Sequence, residues 1–252
     1  MTDRNPPNRP ARTGALSGNR TIVTDAPFTP VADLGPRERE GFIARTYGHL
    51  LGAIAAFTLI EIFLFVNGYA EPMAETMLTT SWLLVLGGFI IVATGGSHIA
   101  HRARTKGVQY LGLAAVVVAE AVIFVPMLWL ANEYAPGAIN SAAMVTALGF
   151  GALTIIAVVS GKDFSFLRTF LMWGGVVALL LIVTGVAFGF DLGAVFSVGM
   201  VGFAGAAILY DTSNILRYFP ADRYVSASLQ LFTSVMLLFW YVLSLFLRFG
   251  RD

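Results

Sequence analysis

Seven apolar stretches, at residues 47–66, 82–100, 108–131, 138–160, 166–190, 193–217 and 225–247, take up most of the chain beyond its first forty residues. Each is close to the ~20 residues a helix needs to cross ~30 Å of bilayer hydrocarbon. Lipid offers no hydrogen bonds to a backbone, so such segments must satisfy their own amides. The expected fold is therefore an all-α membrane protein, a bundle of seven transmembrane helices. The connections are short, which leaves no room for a separate soluble catalytic domain, and residues 41–252 are expected to form one transmembrane domain. A composition of 57% hydrophobic and 12% charged residues fits a bundle in lipid and not a soluble domain of this length.

Fourteen of the 16 Lys and Arg residues fall on one side of that partition. Seven lie in residues 1–46, three in 97–107, two in 161–168 and two in 217–224, whereas the intervening connections carry none. By the positive-inside rule the N-terminus is cytoplasmic. An odd number of spans then puts the C-terminus on the opposite side. Arg248 and Arg251 are the exceptions, a short basic tail carried across once the earlier loops have set the orientation. The basic residues are thus accounted for by topology, and a net charge of +1 leaves no surface for nucleic acid. The absence of cysteine excludes disulfides, iron–sulfur clusters and thiolate metal sites.

Residues 1–40 differ in kind. They hold six of the ten prolines and little that could pack, and are expected to form a disordered cytoplasmic tail. They lack the apolar core and small-residue cleavage site of a secretory signal. Such a tail either only helps fix orientation or serves as a handle for another machine.

A charge inside a span costs several kcal/mol unless it pairs, neutralises or meets water. Four ionisable groups fall there: His49 near the start of the first span, Glu61 towards its outer face, where water could reach it, Glu120 in the third and Asp211 in the sixth. Glu120 falls near the bilayer midplane, and Pro126 less than two turns later should open the backbone ladder. The pair could line a polar cavity, or Glu120 could be a protonated acid hydrogen-bonded across a helix contact. Asp211 lies six residues before Arg217, about 9 Å of helix rise from the cytoplasmic rim. Along the seventh span Ser226, Gln230, Thr233, Ser234 and Ser244 share a face. Gln230, Thr233 and Ser234 therefore offer partners to Asp211, and Gly199, Gly202 and Gly205 on the sixth span allow close approach. Asp211 is either a proton- or ion-sensing group or a lock between two helices.

Other chemistries find no support. A retinal protein needs a lysine within a span, but Lys106 and Lys162 are both in loops. No serine forms a protease motif with His49. His98 and His101 share a helix face without a third ligand nearby and are expected at the interface, so no metal or cofactor site is assigned. Gly87-Gly88 and Gly95-Gly96 are packing glycines, since no phosphate-loop lysine follows. Asp163 or Ser165 suits the N-cap of the fifth span, and Trp82 and Tyr134 suit interfacial anchors.

The run Leu209-Tyr210-Asp211-Thr212-Ser213-Asn214-Ile215, followed at 224–232 by Tyr-Val-Ser-Ala-Ser-Leu-Gln-Leu-Phe, resembles the C-terminal signature of the Bax inhibitor-1 (TMBIM) family. Lys162-Asp163-Phe164-Ser165-Phe166-Leu167 and the terminal Arg251-Asp252 resemble its bacterial YccA-like members. The likeness covers the third to seventh spans best and implies the same seven-span, N-terminus-inside topology, in a bacterial inner membrane. Some members of the family are pH-sensitive calcium leak channels in which two aspartates, one on each of the last two helices, share a site and raise one another's pKa. The first maps to Asp211 and the second to Ser234, so the coupled switch is absent or altered, unless Glu120 supplies the missing acid. YccA-like members also lack the second acid. They are linked to FtsH, the membrane-bound ATP-dependent protease, whose action they modulate while being degraded from their own N-terminal tails. The resemblance thus implies a non-enzymatic modulator of an FtsH-type protease, surrounded by membrane lipids. Its alternative is a leak for calcium or other cations controlled by protons.

Overall fold

The computed structural model describes residues 29–103 and 105–249. A single 3-10 turn, Val31–Asp33, precedes eight helices among these residues: α1 Pro36–Val66, α2 Ala70–Thr79, α3 Trp82–Arg102, α4 Lys106–Tyr134, α5 Ala138–Val159, α6 Leu167–Phe188, α7 Gly193–Arg217 and α8 Tyr224–Phe249. Seven are long and apolar enough to cross a membrane.

The eighth, α2, is ten residues, or about 15 Å, too short to span. Ala70 and Ala74, one turn apart, bury against Val125 of α4, with Leu64, Phe65, Met73 and Trp129 around them. Helix α2 therefore lies over the turn of α4 that carries Pro126. That proline removes one amide donor, yet α4 runs through it as a continuous helix.

Helix α1 begins at Pro36, eleven residues before the apolar stretch, with Pro in the first turn where a missing N–H costs nothing. Its 31 residues rise about 46 Å, so the exposed turn at 37–40 stands beyond the hydrocarbon. Helix α1 thus starts before residue 40, the expected end of the tail. Val31 is fully buried, its N–H donates to the Phe219 carbonyl at 2.9 Å, and Pro30 bridges to Pro220. Residues 29–34 form a strap across the α7–α8 turn, because Val31 and Leu34 are apolar anchors inside a stretch whose average composition is polar. The remaining tail, residues 1–28, lies outside the described residues.

Helices α4 and α8 are enclosed by the others, α8 touching α1, α3, α4, α5 and α7. At their contact Phe124 stacks on Phe239 with centroids 5.5 Å apart and meets Phe57 of α1 and Trp240 edge-on. Helices α3 and α4 approach closely. A Cβ on Gly112 would lie 2.5 Å from the Gly96 carbonyl oxygen and 2.8 Å from the Ala100 Cβ, so Gly96 packs as expected, whereas a Cβ on Gly87, Gly88 or Gly95 would meet nothing within 4 Å.

The glycines of α7 behave differently from expectation. Gly202 is exposed, with nothing within 4 Å of where a Cβ would stand, and Gly205 would meet only the Leu153 side chain of α5, at 3.4 Å. Residues three apart drift by about 60° around a helix. Such a row therefore winds off any one contact, and Gly202 is not a packing partner of α8.

At the basic end of the bundle the charges that suggest its orientation also tie the connections together. Arg217 donates to the Gly161 carbonyl, Arg223 to that of His101 and Lys106 to that of Asp222. At the other end Arg248, one exception to the charge bias, makes a two-pronged pair with Asp191 at 2.7 and 2.8 Å. That carboxylate is held well below the usual range by Arg248 and then by the Gly193 N–H. Arg251 lies outside the described residues.

Candidate functional site

Successive residues on a helix turn by about 100°, so the motif ending α7 addresses a different neighbour with each side chain. Asp211 points at α8. Gln230 Nε2 donates to its Oδ1 at 2.6 Å and the Ser234 hydroxyl donates to its Oδ2. Gln230 and Ser234 are one turn apart, which brings both donors to one carboxyl. Asp211 is only 6% exposed, and among the described residues no cation pairs with it.

Thr212 turns towards α1, where the Tyr47 hydroxyl lies near the hydroxyls of Thr212 and of Thr154 on α5; all three oxygens are buried and none closes a hydrogen bond of good geometry. Nothing in the sequence singles out Tyr47 and Thr154, because each sits in an apolar stretch with no local feature to set it apart. The Ser213 hydroxyl accepts from the Phe164 N–H at 3.2 Å and donates to the Lys162 carbonyl at 3.4 Å. Asn214 borders a small polar groove with Asp163, Arg168 and Tyr218.

Beside that groove the Tyr218 hydroxyl donates to Asp163 Oδ2 at 2.5 Å and the Ser165 N–H to Oδ1 at 2.9 Å. These bonds, Tyr218 foremost, hold the Asp163 carboxyl below its ordinary range, and Asp163 in turn pushes the Tyr218 phenol up. The N-cap role expected of Asp163 or Ser165 is not what forms. Helix α6 starts at Leu167 behind Phe166, without a side-chain cap, since Asp163 is committed to the end of α7.

The polar stripe of α8 divides among several partners. Ser226 donates to the Ala100 carbonyl of α3 at 2.6 Å, and Ser244 faces Ser197 of α7 at 3.4 Å. Thr233, expected beside Asp211, is exposed and bonds back to its own helix at the Leu229 carbonyl. One residue from Ser234, it is turned about 100° away. It lines a cavity of about 810 Å³ bounded by α3, α4, α6, α7 and α8.

Glu120 lines the same cavity, at the midpoint of α4, and is 5% exposed. The structure does not bring it to Asp211, whose oxygens are taken from another face of α8. Neither reading of its sequence context forms as expected: Glu120 borders a cavity, but Pro126 is not among its lining residues and the walls are mainly apolar. Glu61 is a second correction. It is 7% exposed, with neither carboxyl oxygen partnered. It continues the buried row Phe42, Thr46, Leu50, Ala53 and Phe57, and α2 packs on the outer parts of α1 and α4.

His49 lies at the basic end, its Nδ1 2.6 Å from the Arg45 carbonyl and its Nε2 2.7 Å from the Tyr110 hydroxyl. Lys106 and Arg45 sit over the ring of Tyr224, at 3.9 and 5.3 Å. His101 is exposed and edge-on to Phe219.

A multi-pass helical membrane protein whose last two spans enclose one carboxyl group, bonded by neutral donors, is the class that this fold and site define. The chain belongs to the Bax inhibitor-1 family, whose model, described as "Inhibitor of apoptosis-promoting Bax1", matches residues 39–251. It is 27% identical to "Protein LIFEGUARD 4" of Arabidopsis thaliana over 252 residues, 93% of each chain. It is 28% identical to a "BI1-like protein" of the same plant, covering 91% of this chain and 89% of that one. An "Uncharacterized membrane protein" of Vibrio cholerae is 32% identical over 124 residues, 48% of this chain and 55% of its own length.

Proposed function

We propose that this protein is a bacterial inner-membrane partner of an FtsH-type protease, modulating the turnover of membrane proteins and entering that protease by its N-terminal tail. One observation supports this reading over a proton-gated calcium leak: both oxygens of Asp211 are engaged by neutral donors, Gln230 and Ser234. A pair of facing carboxylates repels, and its protonation moves helices. A carboxylate facing an amide and a hydroxyl has no such repulsion to release, so this site acts as a fastener. The strap at 29–34 leaves residues 1–28 as the segment a pulling machine would engage. The test is co-purification with the protease and pulse-chase turnover of the full chain. Deleting residues 2–28, which spares Val31, is expected to abolish association and lengthen the half-life; unchanged association and half-life would overturn the reading.

The cation-leak reading keeps one supporting observation, the acid Glu120 opening on a cavity within the bundle. Calcium flux into liposomes separates the two. Flux that falls with Asp211→Asn or Glu120→Gln favours the leak, and none from the wild type favours the protease partner.

A further inference from the structure

Two acids inside the spans have no hydrogen bond, and they differ in what they face. The oxygens of Glu61 are sealed among other atoms, whereas Glu120 borders open volume. Around Glu120 the walls are apolar and aromatic, with Trp82 of α3, Phe124 of α4, Ala178 of α6 and Trp240 of α8. Trp82 and Trp240 stack with centroids 6.2 Å apart.

The charged and serine side chains that share the cavity with Glu120 are already matched. Arg248 and Asp191 neutralise one another at its outer end, and Ser197 and Ser244 face each other. Glu120 is left as one acid without a counter-charge. A volume near 810 Å³ is of the size that takes a drug-sized molecule. A buried acid in such a place is stabilised by a donor or cation brought to it. An anionic amphiphile would meet repulsion there, and a neutral acyl chain would fill the space while leaving the carboxyl unmet.

We propose that this cavity is a binding site for a lipophilic amine, with its ammonium group on Glu120 and its hydrocarbon body along Trp82 and Trp240. The aromatic faces add to the same preference, since cations are drawn to them. The site is separate from the Asp211 fastener and does not depend on the protease reading.

The probes are decylamine, decanol and decanoate, matched in chain length, titrated at neutral pH into the full protein in zwitterionic nanodiscs. Tryptophan fluorescence is the readout, in a background where Trp129→Phe and Trp173→Phe leave Trp82 and Trp240 as reporters. Decylamine is expected to saturate at concentrations at least tenfold below decanol, and decanoate to give no saturable change. Glu120→Gln should bring decylamine back to the decanol value, and Ala178→Phe, which fills the cavity, should weaken both. Equal binding of amine and alcohol by the otherwise unaltered protein would overturn the proposal, as it would mean ordinary lipid filling. That ratio decides the matter even where Glu120→Gln does not fold, and a folded Glu120→Gln that kept the preference would overturn it too.

Discussion

The basic end of the bundle and its opposite half treat their buried acids in contrary ways. Near the basic end Asp211, Ser213, Arg217, Tyr218, Arg223 and Ser226 each have a named partner on another element. In the other half Glu61 has none and Glu120 faces a cavity, with the Arg248–Asp191 pair beyond. Satisfied polar groups fix one arrangement of helices, whereas a carboxyl facing open volume keeps binding capacity in reserve. On the readings proposed above, the family motif would hold the bundle together and the opposite half would take a ligand.

The strongest way to break this contrast is to restore a second acid. Ser234→Asp places a carboxylate against Asp211 and should cost ~3–5 kcal/mol of stability, the scale of an uncompensated buried charge. The loss should be greater at pH 8 than at pH 5, because protonating one acid removes the repulsion; thermal unfolding in detergent at both values checks it. Equal loss at the two values would mean that the helices separate enough to hydrate both groups. Asp211→Leu should cost ~2–4 kcal/mol by stranding Gln230 and Ser234, while Asp211→Asn, which keeps an acceptor, should cost ~1 kcal/mol. Comparable losses from both would show packing, not hydrogen bonding, to be the fastener.

Gly112→Val is expected to cost ~1–3 kcal/mol through overpacking at the Gly96 crossing, with Gly202→Val close to neutral in the same assay. Arg248→Ala should change stability by ~0–1 kcal/mol and lose even that in high salt, as exposed pairs do. The smallest effect belongs to Tyr218→Phe. Asp163 is held below its unfolded pKa, so its contribution is present above the ordinary carboxylate range near ~3.9 and disappears as the pH falls through the lower folded value. Removing the Tyr218 hydroxyl should reduce that dependence and speed amide exchange at 161–165; unaltered exchange would show that Arg217 and Ser213 suffice.

Much of this fold is legible in the sequence because lipid enforces a simple rule. Span length and hydropathy locate seven helices, and α7 at 193–217 matches its apolar stretch end to end. Spacing of one turn is enough to pair Gln230 and Ser234 with Asp211. Helix α2 is not legible, since ten residues fall short of the hydrocarbon and its anchors are two alanines. Thr233 and Gly202 fall elsewhere than expected because a stripe specifies a helix face without saying what that face meets. Helix α8 is enclosed on several sides, so neighbouring positions serve different partners. Glu61 looks solvated from the sequence because depth along the span does not tell that it continues the inward row of Leu50, Ala53 and Phe57.

The strap over the α7–α8 turn has a mechanical consequence. Traction on the chain ahead of Thr29 would reach the Val31–Phe219 and Thr29–Ala221 bonds before it loaded the first span. Force would then arrive at the turn joining the last two helices, close to the Asp211 fastener. Extraction begun at the N-terminus would thus tug on the C-terminal third of the bundle first, and unfastening there would set its pace.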